Sequence, residues 1–260
     1  ENVTYPQVVP FTDRMDYRAA MNNNMGYILA VEKLMGLEIP DRVEYIRVIM
    51  AELNRIASHL VSFGTYGMDL GAFTPFLFAF REREEIYDLF EMTCGARLLY
   101  NYMWVGGVSH DLADGFVDRT RVFLKKFDSK LQEYNDLLSY NKIFIDRTAN
   151  VGVLPVDLAY SFNITGPNLR GSGVQWDLRR DEPYSIYDRF EFDVPYGKGE
   201  MGEVGDCWDR YMVRLVVVSE RASIVAHALD QLPEGDVPEA VPQTVRPPQE
   251  AECFFRSERA

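Results

Sequence analysis

Apolar residues recur at three- and four-residue spacing along most of the chain, which is the period of an amphipathic helix. The clearest stretch follows Pro40, a residue suited to a first helical turn. Its apolar side carries Ile46, Ile49, Met50, Leu53, Ala57 and Leu60. Glu52, Arg55 and His59 lie on a different, polar side of the same predicted helix. The pattern predicts a long helix with one apolar and one polar face.

An amphipathic helix is predicted directly after the polar cluster that ends at Tyr17, and three further helices are predicted over residues 74–102, 116–138 and 206–232. Residues 166–196 lack this period and contain one strand-like alternation, at residues 187–194. A loop carrying Asp69 is expected over residues 64–72, because glycines recur there. The fold class that follows is mainly α with a small irregular β element.

The composition changes after Pro233, where proline, glutamate and valine become frequent. We expect a helical core domain over residues 1–235. Residues 236–260 are expected to form an extended linker leading into a C-terminal β region that begins with a strand at 252–255. Since the chain starts without methionine and stops within this predicted strand, we expect a segment of a longer protein that lacks both ends.

The charge balance narrows the possible partners. Forty acidic residues against 27 basic ones give a formal net charge of -13, without a basic patch, which argues against nucleic-acid binding. Three cysteines and three histidines lie far apart in the sequence, so we expect reduced thiols and no metal site. The longest apolar run, residues 70–80, is too short to span a membrane.

Two glycine-rich segments could bind phosphate or another anion. Residues 197–202 match the G-x-G-x-x-G pattern of dinucleotide-binding loops, but a long helix follows where a second parallel strand is required. We therefore interpret this match as coincidental and expect no nucleotide-binding loop here. Residues 166–177 could cradle an anion on backbone amides, although a tight structural connection is the simpler interpretation.

Two side chains suit proton transfer. Tyr17 ends a polar cluster, Asp-Arg-Met-Asp-Tyr at residues 13–17, and a phenol can donate a hydrogen bond to a carbonyl. Asp69 lies among glycine, methionine and leucine, where a carboxylate needs a partner or takes up a proton. The alternatives are a surface ion-pair network at residues 13–17 and an aspartate that caps its own turn. His59 and His227 fit packing histidines in helices.

Seven sequence blocks occur in one order along the chain. They are Asp-Arg-Met-Asp-Tyr at 13–17, Ala-Val-Glu-Lys-Leu at 30–34, Glu-Leu-Asn-Arg-Ile at 52–56, Asp-Leu-Gly-Ala at 69–72, Gly-Ala-Arg at 95–97, Leu-Arg-Gly-Ser-Gly at 169–173 and Gly-Asp-Cys at 205–207. In these blocks the chain resembles the D-type, quinone-site subunit family of respiratory complex I, NADH:quinone oxidoreductase. The resemblance implies a helical core like that of the nickel–iron hydrogenase large subunit, without the metal.

The resemblance also implies functional residues. Tyr17 matches the tyrosine that hydrogen-bonds one quinone carbonyl, Asp69 matches the aspartate paired with a histidine at the other carbonyl, and Thr65 matches a position lining the quinone cavity. The quinone is the substrate. No cofactor is expected on this chain alone, because the iron–sulfur cluster that reduces the quinone belongs to a partner subunit.

The implied partners are other complex I subunits, especially the small iron–sulfur subunit, the neighbouring C-type subunit and the membrane quinone-channel subunit. The implied location is peripheral, on the cytoplasmic side of the cell membrane, or on the matrix side of the inner membrane in mitochondria. Three departures stand out. The family's histidine-bearing hairpin is expected to precede this segment, so the histidine partner of Asp69 is not expected in it. Leu99 replaces a histidine of many members, and Trp104-Val105 replaces Arg-Pro. The large subunit of a related membrane-bound hydrogenase and a non-catalytic helical docking module remain alternative interpretations.

Overall fold

A computed structural model of the chain describes residues 3–235, 237 and 252–258. In this part of the chain the helices are α1 (Tyr5–Thr12), α2 (Ala20–Met35), α3 (Asp41–Asp69), α4 (Thr74–Cys94), α5 (Phe116–Tyr134), α6 (Lys142–Thr148), α7 (Val156–Ser161), α8 (Gly166–Gly171), α9 (Leu178–Asp181) and α10 (Cys207–Asp230). One short antiparallel ribbon joins β1 (Met103–Trp104) to β2 (Gly107–Val108). The prediction of a mainly α fold with a small β element is confirmed.

The helix predicted after Pro40 is α3, the centre of the fold. Its 29 residues span about 43 Å, and it packs against α4, α10 and α2. Every residue from 43 to 60 is buried, including the side that the sequence marks as polar. The charged residues on that side therefore need partners inside the protein.

Helix α4 is shorter than predicted. It ends at Cys94 because Gly95 adopts the left-handed conformation (φ 72°) that terminates many helices, so the helix does not reach Tyr102. Helices α5 and α10 agree with their predicted ranges to within a few residues, and α5 continues into a π-helical turn at Asn135–Ser139. Helix α3 continues through Asp69, where the sequence predicts a loop.

The β element lies elsewhere than expected. The strand-like alternation at 187–194 forms a 3-10 turn at Tyr187–Arg189 followed by extended chain, and within the described residues it pairs with no strand. The ribbon instead pairs Met103 with Val108 and Trp104 with Gly107. An alternating pattern makes a strand only where another strand is available to pair with it.

A buried ion pair holds this ribbon in place. Arg47 of α3 donates both terminal nitrogens to Glu32 of α2, at 3.0 and 2.7 Å. Its Nη2 also donates to the carbonyls of Trp104 and Gly107, at 2.9 and 3.0 Å, and Glu32 accepts the amide of Gly106 at 2.7 Å. The ribbon is thus positioned by contacts between residues distant in sequence.

The segment that matches a dinucleotide loop is a structural connection. Asp209 of α10 accepts the amides of Gly199 and Gly205, at 3.0 and 3.3 Å. A side chain at Gly197 would overlap the carbonyl oxygen of Gly171. Within the motif itself, the amide of Gly199 is thus occupied by a carboxylate of the same protein and that of Gly197 by the carbonyl of Arg170, at 2.8 Å, which agrees with the interpretation that the motif does not bind a nucleotide.

The C-terminal segment 252–258 has no regular secondary structure, although a strand is predicted at 252–255, and Glu258 is its buried residue. The predicted linker lies outside the described residues except at Val237. The division into two domains at residue 235 stays a prediction. Within the described chain, each helix falls short of the length or the apolar content that crossing a membrane requires.

Candidate functional site

A cavity of about 1110 Å³ lies beside the middle of α3. Its wall includes Asp16 and Arg18 from the turn between α1 and α2, and Ser58, His59 and Ser62 from α3. Residues 163–169, Arg214 of α10 and the C-terminal residues 255–258 complete most of the wall. The cavity therefore collects segments from both ends of the chain around the central helix.

Tyr17 lies in sequence between Asp16 and Arg18, two residues of the cavity wall, but is not itself part of the wall. Its side chain is 60% exposed, and within the described chain its hydroxyl has no hydrogen-bond partner. The neighbouring ion pairs that the sequence allows do form, Arg14 with Asp13 at 3.8 Å and Arg18 with Asp16 at 3.6 Å. They leave the phenol available to a ligand.

Thr65 and Asp69 extend the cavity-facing side of α3. Ser58, Ser62, Thr65 and Asp69 follow one another at intervals of four, three and four residues, which places them on one face of a helix. Thr65 donates its hydroxyl to the carbonyl of Val61 at 2.8 Å. Asp69 is exposed, and among the described residues its carboxylate has no partner.

The structure brings only two of the three predicted residues together on one surface. Thr65 and Asp69 share a helix face, whereas Tyr17 lies on the turn before α2, and in the described chain no hydrogen bond joins Tyr17 to either. None of the three belongs to the cavity wall itself. The four-three-four spacing of Ser58, Ser62, Thr65 and Asp69 is a signal that the sequence interpretation missed.

His59 is a second residue that the sequence interpretation underrated. It lines the cavity and is 3% exposed, and among the described residues its Nε2 has no hydrogen-bond partner. Burial, together with the charges of Arg221, Arg214, Arg55 and Arg170, holds the pKa of His59 well below its ordinary value. The imidazole is therefore neutral at physiological pH. It is not the satisfied packing histidine that its place in a helix indicates.

Behind the cavity, Glu52 of α3 lies within a buried network of arginines. It accepts hydrogen bonds from Arg179 at 3.1 and 3.2 Å, from Arg221 at 3.1 Å and from the Tyr187 hydroxyl at 2.5 Å. Arg55 lies 3.3 Å from the same carboxylate. Burial opposes ionisation of Glu52, but these partners outweigh it and lower its pKa to about 2.

The network continues to the C-terminal segment. Arg179 also donates to Asp177, at 2.7 Å, and Arg170 donates to Asp177 and Glu258, at 3.2 and 2.9 Å. Although burial opposes ionisation of Asp177, the neighbouring Arg179 and Arg170 hold its pKa well below its ordinary range. The glycine-rich segment at 166–177 therefore contributes buried ion pairs to the core.

In the part of the chain that the structure describes, no group of three or more histidine, cysteine, aspartate or glutamate side chains is arranged so that it could hold a metal ion. Cys94, Cys207 and Cys253 are free thiols. The chemistry that this region offers is hydrogen bonding by a phenol, a carboxylate and hydroxyls, set against a buried, arginine-rich interior.

A family model and several full-length relatives match this chain. Residues 69–258 match the family model described as respiratory-chain NADH dehydrogenase, 49 kDa subunit. The chain is 52% identical over 261 residues to the D-type subunit of NADH-quinone oxidoreductase from Chlorobium phaeovibrioides, covering 99% of this chain and 65% of that protein. Identity to the same subunit of Chlorobium luteolum is 51%, with 99% and 66% covered.

A relative from another bacterial group gives the same result. A D-type subunit of NADH-quinone oxidoreductase from Anaeromyxobacter dehalogenans is 52% identical over 260 residues, covering 100% of this chain and 68% of the relative. The chain thus spans about two thirds of the length of these proteins, 65% for the first. On this similarity, the chain belongs to the family of the 49 kDa subunit of respiratory-chain NADH dehydrogenase.

Proposed function

We propose that this chain forms the helical core of a quinone-binding subunit of NADH:quinone oxidoreductase, and that it helps to bind and protonate the quinone headgroup. The observation that carries the proposal is the identity of about half of all residues to D-type subunits of NADH-quinone oxidoreductase, over nearly the entire chain. Identity of this extent supports a shared fold.

The local geometry supports a role for Tyr17 in binding. A quinone carbonyl accepts hydrogen bonds, and a phenol donates one. Because the Tyr17 hydroxyl is exposed and has no partner within the described residues, a ligand can approach it without breaking an existing bond. The nearby cavity shows that the polypeptide leaves open volume on this side of α3.

Thr65 and Asp69 suit the second end of the headgroup. Asp69 presents an unpaired carboxylate, within the described chain, at the end of the helix face that carries Thr65. A carboxylate can orient and charge-balance a histidine that donates to the other carbonyl, as in paired acid–base sites. We propose that this histidine comes from a part of the relatives' length that the present chain does not span.

The proton balance of this scheme is simple. Reduction of a quinone to a hydroquinone consumes two electrons and two protons. An iron–sulfur cluster of a small partner subunit would supply the electrons, and the Tyr17 hydroxyl and the protonated histidine held by Asp69 would supply the protons. Loss of both protons leaves a tyrosinate and an uncompensated carboxylate until solvent protons replace them.

The proposed setting is the peripheral arm of the complex, on the cytoplasmic or matrix side of the membrane. Contacts with the small iron–sulfur subunit, a neighbouring C-type subunit and the membrane quinone-channel subunit would enclose the site. Exposed apolar residues near it, Phe11, Met15 and Phe73, are suited to burial against such partners.

Substitution of Tyr17 by phenylalanine in the assembled membrane complex tests the proposal. General acid catalysis contributes a factor of about 100 or more, so Tyr17→Phe is expected to lower NADH:quinone reductase activity by at least about tenfold. Reduction of an artificial electron acceptor by NADH should stay unchanged, because it bypasses the quinone site. Asp69→Asn is expected to act in the same direction.

Tyr140→Phe is the control, because this tyrosine is also exposed (44%) but lies just before α6, in a segment that contributes no residue to the cavity wall, and its hydroxyl donates to Glu200 at 3.4 Å. A photoreactive quinone should label residues near Tyr17. Full quinone reductase activity in Tyr17→Phe, together with labelling elsewhere, would show that the chain acts only as a docking module.

A further inference from the structure

The turn that carries Tyr17 leads into a helix whose own cap residue cannot accept a hydrogen bond. The turn is closed by the amide of Ala19, which donates to the carbonyl of Asp16 at 2.9 Å, and α2 follows directly at Ala20. Ala19 occupies the cap position, where its methyl group offers no acceptor. Because the first amides of a helix lack partners within the helix, α2 needs an acceptor from elsewhere in the fold.

Asn54 of α3 supplies that acceptor. Its Oδ1 accepts the amide of Met21, the second residue of α2, at 3.1 Å. This is the bond that the side chain of a capping residue ordinarily makes. The Nδ2 of Asn54 donates to the carbonyl of Arg18 at 3.3 Å. Asn54 is 1% exposed, so a buried residue of the central helix joins the Tyr17 turn to the start of α2.

Asn23 holds the same turn from α2. Its Nδ2 donates to the carbonyl of Asp16 at 3.1 Å. The two residues on either side of Tyr17, Asp16 and Arg18, therefore each have a backbone carbonyl that accepts a side-chain amide. These two bonds fix the backbone around Tyr17, while its side chain remains exposed.

Asn54 lies on the helix face that the proposed quinone site uses. The residues of this face follow one another at intervals of four, four, three and four positions: Asn54, Ser58, Ser62, Thr65 and Asp69. Two members of the face, Ser58 and Ser62, line the cavity, and so do both sequence neighbours of Tyr17. One helix thus carries the side chain that holds the Tyr17 turn and the two residues proposed for the other end of the headgroup.

The amide group suits this place because it is a donor and an acceptor at once. Asn54 uses its oxygen for a backbone N–H and its nitrogen for a backbone carbonyl. A leucine has a similar size and can do neither, and an ionised aspartate can accept but cannot donate. Loss of the amide leaves buried backbone groups unpaired, and that cost favours a rearranged turn. A change at residue 54 is therefore transmitted to the backbone beside Tyr17.

We propose that Asn54 and Asn23 are positioning residues for Tyr17. They fix its turn relative to the α3 face, so that the phenol meets the quinone carbonyl in hydrogen-bonding geometry. Neither asparagine touches the quinone in this scheme. The inference rests on the proposed function, in which Tyr17 donates to the quinone, and it adds the groups that determine where this donor lies. Displacement of a reacting group by about 1 Å can cost a factor of about 100 in rate.

Asn54→Leu in the assembled membrane complex is the first test. The variant is expected to lower kcat for NADH:quinone reduction about tenfold, because the phenol loses its orientation. Introduced into Tyr17→Phe, the same change should lower kcat by less than about twofold, since the effects of residues that act through one group are not additive. An additive loss in an impaired Tyr17→Phe background would show that Asn54 acts on the fold alone and would overturn the proposal. Reduction of an artificial acceptor by NADH measures assembly of every variant.

Asn23→Ala provides the test if Asn54→Leu fails to assemble. Asn23 is half-buried, and its loss removes one bond to the turn without changing α3. We expect kcat to fall about threefold to tenfold, again only when Tyr17 is present. Asn141→Ala is the matched control: the Oδ1 of Asn141 also binds backbone, accepting the amide of Ile143 at 2.9 Å, in a segment that contributes no residue to the cavity wall. The kcat of this control should stay within about twofold of the wild type, and equal activity of Asn23→Ala would overturn the assignment of Asn23.

Amide hydrogen exchange of the assembled complex, measured by mass spectrometry, tests the contacts without quinone turnover. Both variants are expected to speed exchange over residues 16–21 by at least about threefold, the factor that one lost hydrogen bond is worth, with α5 as the reference. Unchanged exchange in both variants would overturn the proposal whatever their activities. The two proposals fail separately: full activity of Tyr17→Phe refutes the role of the phenol, whereas an additive loss with faster exchange refutes the positioning role alone.

Discussion

Arg179 donates from its Nη1 to both carboxylate oxygens of Glu52, at 3.2 and 3.1 Å, and joins residues 127 positions apart in the sequence. Both side chains are buried. The contact ties the short α9 to the middle of α3 and continues through Arg221 into α10. The interior of this protein is therefore held together by charge as well as by apolar packing.

Replacement of Glu52 by glutamine tests this arrangement. The substitution leaves three arginines around a neutral amide, and breaking a buried ion pair costs about 3–5 kcal/mol. We expect Glu52→Gln to lower the free energy of unfolding by that amount, measured by denaturant titration. Glu84→Gln removes an exposed carboxylate that pairs with Arg97, and its effect should stay below about 1 kcal/mol. Equal effects of the two substitutions would refute the central role of Glu52.

The same carboxylate predicts a dependence of stability on pH. In the folded protein its pKa is about 2, below the ordinary value of 4.5, so the stabilisation is complete above pH 4.5 and is lost as the pH falls toward 2. The pKa difference between the folded and unfolded states corresponds to about 3 kcal/mol of stability, since each unit of pKa shift is worth about 1.4 kcal/mol. Unfolding free energies of the wild type and Glu52→Gln should therefore converge between pH 4.5 and pH 2. Parallel curves across this interval would contradict the prediction.

Arg47 offers a separate test of how the β ribbon is held. Lysine at this position keeps the charge but cannot serve the two oxygens of Glu32 and two carbonyls at the same time. We expect Arg47→Lys to destabilise the protein by about 2–4 kcal/mol and to speed amide hydrogen exchange at 103–108. Exchange at α5, which is remote from Arg47, is the internal reference. Unaltered exchange of the ribbon amides would show that Arg47 does not position it.

Replacement of glycine by alanine is expected to cost very different amounts of stability at two positions. Gly36 ends α2 with a φ of 64° and has nothing within 4 Å of an added Cβ, so Gly36→Ala should cost about 1 kcal/mol from backbone strain alone. At Gly197 an added Cβ would overlap the backbone of Gly171 and approach Asp209, so Gly197→Ala should cost more than about 3 kcal/mol. Thermal unfolding of both variants measures the contrast. Similar costs would mean that the loop at 197–202 relaxes freely.

A helix is predicted correctly where the signal for it lies within one continuous segment of the chain. The period of apolar residues located α3, α5 and α10, because a helix face repeats over a few residues. The end of α4 and the position of the ribbon were misjudged: the first depends on the conformation of Gly95, and the second on Arg47 and Glu32 from other helices. Such long-range contacts leave no periodic trace in the sequence.

The same distinction between local and long-range signals applies to the residues of the candidate site. Tyr17, Thr65 and Asp69 were identified by resemblance, and the spacing from Ser58 to Asp69 was readable along one helix. The sequence does not predict that nitrogen atoms of His59, Arg170 and Arg221 are buried without hydrogen-bond partners among the described residues. This property depends on which groups surround these side chains in the folded chain.

The sequence by itself determined the fold class, the family and the long central helix, since these follow from local periodicity and from ordered blocks of residues. Only the tertiary structure decided that the polar side of α3 is buried, with Glu52, Arg55 and His59 inside the protein. The physical reason is that a charged helix face can be exposed to water or neutralised by partners. The partners of α3, on α9, on α10 and in the C-terminal segment, meet it only when the chain folds.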